Sequence, residues 1–106
     1  MSNTTTLSGP IITITGLDAD WTWSTDTVFT NGIKVHSIRF HPTGPNDVMI
    51  IHDHGIDGAE IFSVKCSGDT DDRVQYYGGA WLRPVIDITD CTLSSAAAAK
   101  VTIHMV

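Results

Sequence analysis

The chain has 106 residues, enough for one domain around one core and too short for two ordinary domains. Hydrophobic residues make up 42% of it, which supports a packed core and excludes a wholly disordered chain. The formal net charge is −6, with no basic cluster along the sequence, so nucleic-acid binding is not expected: neutralising phosphates takes clustered Lys and Arg.

The acidity is spread out. Four Asp and Glu stand against two Lys and Arg up to His52, and eight against four beyond it. No apolar run approaches the roughly 18 residues of a membrane helix, so no membrane partner is expected. The opening MSNTTTLSG lacks basic residues and an apolar stretch, so it does not read as a signal peptide. Two cysteines, Cys66 and Cys91, are either one staple between strands or two buried thiols. The missing export signal favours the thiols.

Residues 1–9 are polar and Thr-rich and read as a frayed, flexible segment ahead of a single domain over residues 10–106. Ile12 and Ile14 then alternate with Thr13 and Thr15, a strand pattern of β-branched residues ended by Gly16. Trp21 and Trp23 are two apart and share one strand face. Each is a core anchor or an interface anchor, since tryptophan serves both. Asn31 and Gly32, between the apolar runs at residues 28–30 and 33–35, carry the dipeptide signal of a hairpin turn. In the next strand Ile33 and Val35 have one parity, Ile38 and Phe40 the other. A bulge near His36 and Ser37 reconciles them.

Residues 42–47 hold two prolines and a glycine and read as a turn. Residues 48–51 are continuously apolar, which suits a central strand covered on both faces. A second turn covers residues 52–58, followed by a strand through Phe62, Val64 and Cys66. Residues 67–72 form a polar turn. Residues 73–92 read as strand, Gly78-Gly79 hairpin turn, and second strand. Pro84 makes that second run an edge strand, or else marks its irregular start. The alanines at 96–99 suit a helix, but one turn without amphipathic pattern is marginal. Val101, Ile103 and Met105 close the chain as a strand. The result is an all-β, antiparallel β-sandwich of about eight short strands, jelly-roll-like in first choice and more irregular in second.

No catalytic signature stands out, neither a nucleophile motif nor a phosphate or dinucleotide loop, so no enzyme activity and no cofactor are expected. His52 and His54 are the candidate metal ligands, with His36 or His41 as a third. Two ligands do not close a zinc site, and no metal is expected. Asp69, Asp71 and Asp72 evoke a calcium loop, but Val74 and Ala80 occupy the positions that would need Gly and Glu.

Three stretches, SIRFHPTGPNDVMIIHD, GIDGAEIF and RVQYYGGAWLRPVIDITDCTLSS, together resemble small tailed-phage virion proteins of the capsid decoration or cement type. They cover a little under half of the chain. The resemblance implies a non-enzymatic structural protein in many copies, a dimer or trimer located on the virion and assembled in the host cytoplasm. Its partner would be the major capsid protein. A tail or neck component, or a small metal- or carbohydrate-binding module, is the alternative. Residue type nominates Trp21, Trp23, Trp81, Tyr76 and Tyr77 as interface candidates.

Overall fold

Alternating apolar and polar residues build most of this molecule, and two antiparallel sheets bury the apolar faces against each other. The structure is a computed structural model that describes residues 3–23, 32–55 and 57–106. The described residues form nine strands, β1 (Thr4–Ser8), β2 (Ile11–Thr15), β3 (Trp21–Thr22), β4 (Ile33–His41), β5 (Val48–Asp53), β6 (Glu60–Lys65), β7 (Arg73–Leu82), β8 (Pro84–Ile86) and β9 (Lys100–Met105). The five-stranded sheet has the order β1-β2-β9-β4-β7, and the four-stranded sheet the order β3-β8-β5-β6.

The pairing follows one rule. β2 pairs with β9, β3 with β8, β4 with β7 and β5 with β6, all antiparallel. The chain is therefore one long hairpin with its tip between β5 and β6, rolled up so that β9 also meets β4 and β8 also meets β5. That is jelly-roll topology, with β1 added beside β2. Between the sheets lie Ile12, Ile14, Leu17, Trp21, Ile38, Phe40, Met49, Ile51, Phe62 and Ile103, all fully buried. The hydrophobic effect acting on this layer is the main stabilising term.

The bulge in β4 forms where the change of phase places it. Register shifts between Val35 and Ser37, and Ser37 and Ile38 are both buried in succession. The phase then resumes with Phe40 inside. Val28 and Asn31 lie outside the described residues. The last strand is central, held by β2 and β4 on either side.

Two expectations need correction, and two open readings are decided. Within the segment expected to fray, Thr4–Ser8 form β1, turned back at Gly9 and paired residue for residue with β2. Threonine fits a pleated edge whether or not it is buried. Gly78 and Gly79 do not turn a hairpin. Both have positive φ (61° and 86°), yet β7 runs straight through them along β4. Val35 faces Ala80 and Ser37 faces Tyr76, so Tyr77, Gly78 and Gly79 stand opposite His36 alone. The glycines form a bulge of three residues against one, the other common use of positive φ in a strand. Of its two expected places, an edge strand or an irregular strand start, Pro84 takes the second. It opens β8, which lies between β3 and β5, and Arg83 is the step from one sheet to the other. Pro84 fits there as a strand's first residue. The alanines make a turn, with Ala98 and Ala99 N–H groups donating to the Ser95 carbonyl.

Candidate docking face on the five-stranded sheet

The outer face of the five-stranded sheet is set by alternation in its two central strands. Ile33, Val35, Ile38 and Phe40 of β4 point inward, so Lys34, His36, Arg39 and His41 point outward. Val101 and Ile103 of β9 point inward, so Lys100, Thr102 and His104 join them. Along one border runs the edge strand β7. Lys34 faces Trp81 across the β4–β7 pair, and its ammonium lies 5.4 Å from the indole centroid. His36 meets Tyr76 edge-on, with centroids 5.8 Å apart. Tyr76 is 71% exposed and Trp81 64%.

The aromatic candidates therefore divide. Trp21 is fully buried, and its indole N–H donates to Thr5 Oγ1 at 2.9 Å, which ties β1 to the core. Trp23 is half-buried against the core. Tyr77 points inward from β7 and its hydroxyl donates to the Ile61 carbonyl, joining the edge strands of the two sheets. Burial pushes its phenol up to about 12. Of the five candidates only Trp81 and Tyr76 are exposed for a partner. Local periodicity could not make this division, because it does not say which strand lies at an edge.

Trp81 forms a ridge between two depressions. A shallow groove of about 230 Å³ is lined by Gly32, Ile33, Lys34, Trp81, Met105 and Val106. A smaller polar one, about 120 Å³, is lined by Asp53, His54, Trp81, Leu82 and Arg83. The second is cross-braced. Arg83 N–H donates to Asp53 Oδ1 at 2.9 Å, and His54 N–H donates to the Arg83 carbonyl at 3.0 Å. The Arg83 guanidinium meets His54 Nε2, and His54 Nδ1 lies 3.3 Å from Asp53 Oδ2. His54 has φ 75°, the one non-glycine positive φ among the described residues.

His52 and His54 do not share a strand face as ligands, because β5 ends at Asp53 and the chain turns at His54. His52 is buried at 7% exposure with both ring nitrogens engaged. Nδ1 lies 3.0 Å from the Gly58 carbonyl and Nε2 lies 3.1 Å from Asp90 Oδ2. Both partners only accept, so the ring satisfies them fully as an imidazolium. The Gly58 carbonyl raises its pKa most, burial opposes, and Asp90 adds to the rise. His36 packs on Tyr76, and His41 Nδ1 is 2.6 Å from Asp72 Oδ1. Among the described residues no group of three or more His, Cys, Asp or Glu is placed to hold a metal ion.

The acidic run after β6 is also engaged. Asp69 pairs with Arg73 at 2.7 Å, and Asp72 with Arg39 at 3.3 Å and with His41. Asp69 Oδ1 also accepts from the Asp71 N–H, as an Asx turn does. Cys66 and Cys91 are both free, and burial pushes both thiols up.

One polar residue escaped the sequence reading. Asp47 is fully buried where the 42–47 turn meets Ser94. Its Oδ2 accepts from Thr43 N–H, Thr43 Oγ1 and Gly44 N–H, and its Oδ1 from Ser94 N–H and Ser94 Oγ. Burial alone would raise the carboxyl; these bonds outweigh it and hold Asp47 below its usual range. An aspartate closing a Pro-Gly turn was the available signal.

Comparison with family models, curated proteins and solved structures found no match to the chain.

Proposed function

We propose that this protein is a non-enzymatic structural subunit that docks on a larger protein assembly through Trp81 and Tyr76, as a capsid decoration or cement protein of a tailed phage does. The observation that carries the docking reading is the exposed aromatic pair on the edge strand β7. Tyrosine and tryptophan are enriched among binding hot spots, and here the sandwich already has a core without them. The assignment to virions rests on the resemblance of residues 37–53, 55–62 and 73–95. Many copies repeated by symmetry turn modest contacts into a firm hold, which suits a small subunit of this kind. Dimers or trimers on the capsid surface, contacting the major capsid protein, are the expected form.

The test is native mass of the purified protein, followed by co-sedimentation with expanded capsids, for the parent and for Trp81→Ala. A defined oligomer, or capsid binding, that is lost in Trp81→Ala supports the reading. A monomer that sediments with no capsid overturns it. The polar depression beside Trp81, with Asp53, His54 and Arg83, favours a second reading as a carbohydrate-binding module. There an aromatic platform and nearby hydrogen-bonding groups would hold a sugar. Quenching of Trp81 fluorescence by a glycan, absent in Trp81→Phe, would select it.

A further inference from the structure

The cations that look scattered along the sequence are gathered by the topology. The five strands of the larger sheet contain Lys34, Arg39, Arg73 and Lys100, four of the chain's six Lys and Arg. They contain none of its twelve Asp and Glu. Carboxylates instead occupy the smaller sheet, at Asp53 and Glu60, and the segments beside it, at Asp18, Asp20, Asp87 and Asp90. Arg39 and Arg73 are matched by Asp72 and Asp69. Among the described residues, Lys34, Lys100 and Arg83, and Lys65 on the smaller sheet, have no carboxylate within ion-pair distance. Lys34 and Arg83 flank Trp81 on its two sides.

We propose that the outer face of the five-stranded sheet docks against a carboxylate-rich protein surface, with Lys34 and Lys100 as its charge contacts and Trp81 as its apolar anchor. The inference rests on the docking reading above and adds the chemistry and orientation of the partner. A chain of net charge −6 is repelled by an acidic surface in most orientations, so the face that can approach one is a face whose cations outnumber its carboxylates, as Lys34, Arg39 and Lys100 here outnumber Asp72. Lys100 stands opposite His41, at the far end of β4 from Lys34. The Cα atoms of the two lysines are thus roughly 20 Å apart along the sheet. A small anion cannot reach both, and a protein surface can. Lys34 is already stacked on Trp81, so an incoming carboxylate meets a cation held beside apolar surface. Nucleic acid fits less well, because each nucleotide brings a phosphate and the face offers few unmatched cations.

The experiment titrates isotope-labelled protein with a short poly-L-glutamate peptide, and in parallel with a thymidine oligonucleotide of equal charge, at low and physiological salt. Amide and indole shifts are followed by NMR. Polyglutamate is expected to move β4, β9 and the Trp81 indole while leaving β5 and β6 in place, with binding that weakens as salt rises. Lys34→Glu with Lys100→Glu is expected to weaken it by about tenfold or more. Lys65→Glu, on the smaller sheet, should leave it unchanged. The single variant Lys100→Glu, remote from Trp81, repeats the test should the double variant melt early. Shifts absent from β4 and β9, equal weakening by Lys65→Glu, or tighter binding of the oligonucleotide would overturn the proposal. Capsid binding that needs Trp81 but ignores salt and both lysines would overturn it while leaving the docking reading intact.

Discussion

Lys34 and Trp81 are cross-strand neighbours, and the lysine ammonium sits 5.4 Å from the centre of the exposed indole. Such a contact is worth about 0.5–1 kcal/mol at an exposed site. It holds the indole against the sheet and leaves the rest of its surface open. Trp81→Ala is therefore expected to lower stability by no more than about 1 kcal/mol. Trp21→Ala should cost about 3–5 kcal/mol, because it opens a cavity in the core and strands the Thr5 hydroxyl. Urea denaturation of the two variants checks the contrast. A large loss from Trp81→Ala would mean that Trp81 is structural.

His52 should give the molecule a stability that falls as pH rises above about 6.5. Its folded pKa is raised above 6.5 by the Gly58 carbonyl first and then by Asp90. A raised value means that the folded state holds the proton more tightly than the unfolded chain. The stabilisation is complete below about pH 6.5 and is lost as pH climbs through the folded value. Thermal melts of the parent across that window should slope downward, and those of His52→Ala should not. A parallel slope in both would sink the assignment.

Asp47 should work in the opposite direction. Its folded pKa lies below 3.8, so its contribution is present above that value and lost as pH falls through the folded one. Asp47→Ala leaves the Thr43, Gly44 and Ser94 donors without their acceptor in a buried position. A loss of roughly 3 kcal/mol or more is expected at neutral pH. Acid titration followed by circular dichroism should show a sharper loss of fold in the parent than in the variant. Gly44 belongs to the same device: a Cβ there would sit 1.9 Å from Ser94 Oγ, so Gly44→Ala should also destabilise.

The bulge in β7 offers a backbone test. Gly78 has φ 61° and open space around its missing Cβ, so only conformation opposes a side chain. Gly78→Ala should cost about 1–2 kcal/mol. Gly78→Asn should cost less, because asparagine tolerates this region. Equal costs, measured by denaturant midpoint, would show that sterics and not φ govern the site.

The local rhythm of the chain was legible in its residues. Alternation of Ile12 with Ile14 and of Val101 with Ile103 marked strands, and the parity change from Val35 to Ile38 marked the bulge. These follow from the two-residue period of a strand, which depends only on neighbours. Which strand pairs with which was decided by contacts between distant segments. Gly78 and Gly79 permit a hairpin turn or a bulge equally well. They became a bulge because β7 pairs with β4 on both sides of them and leaves that sheet only after Leu82, at Arg83. The same long-range packing buried Trp21, set Trp81 on an edge, placed Asp90 beside His52 and sorted the charges between the sheets. Residue type supplied the candidates for this surface, and the three-dimensional pairing chose among them, since exposure belongs to the fold and not to the residue.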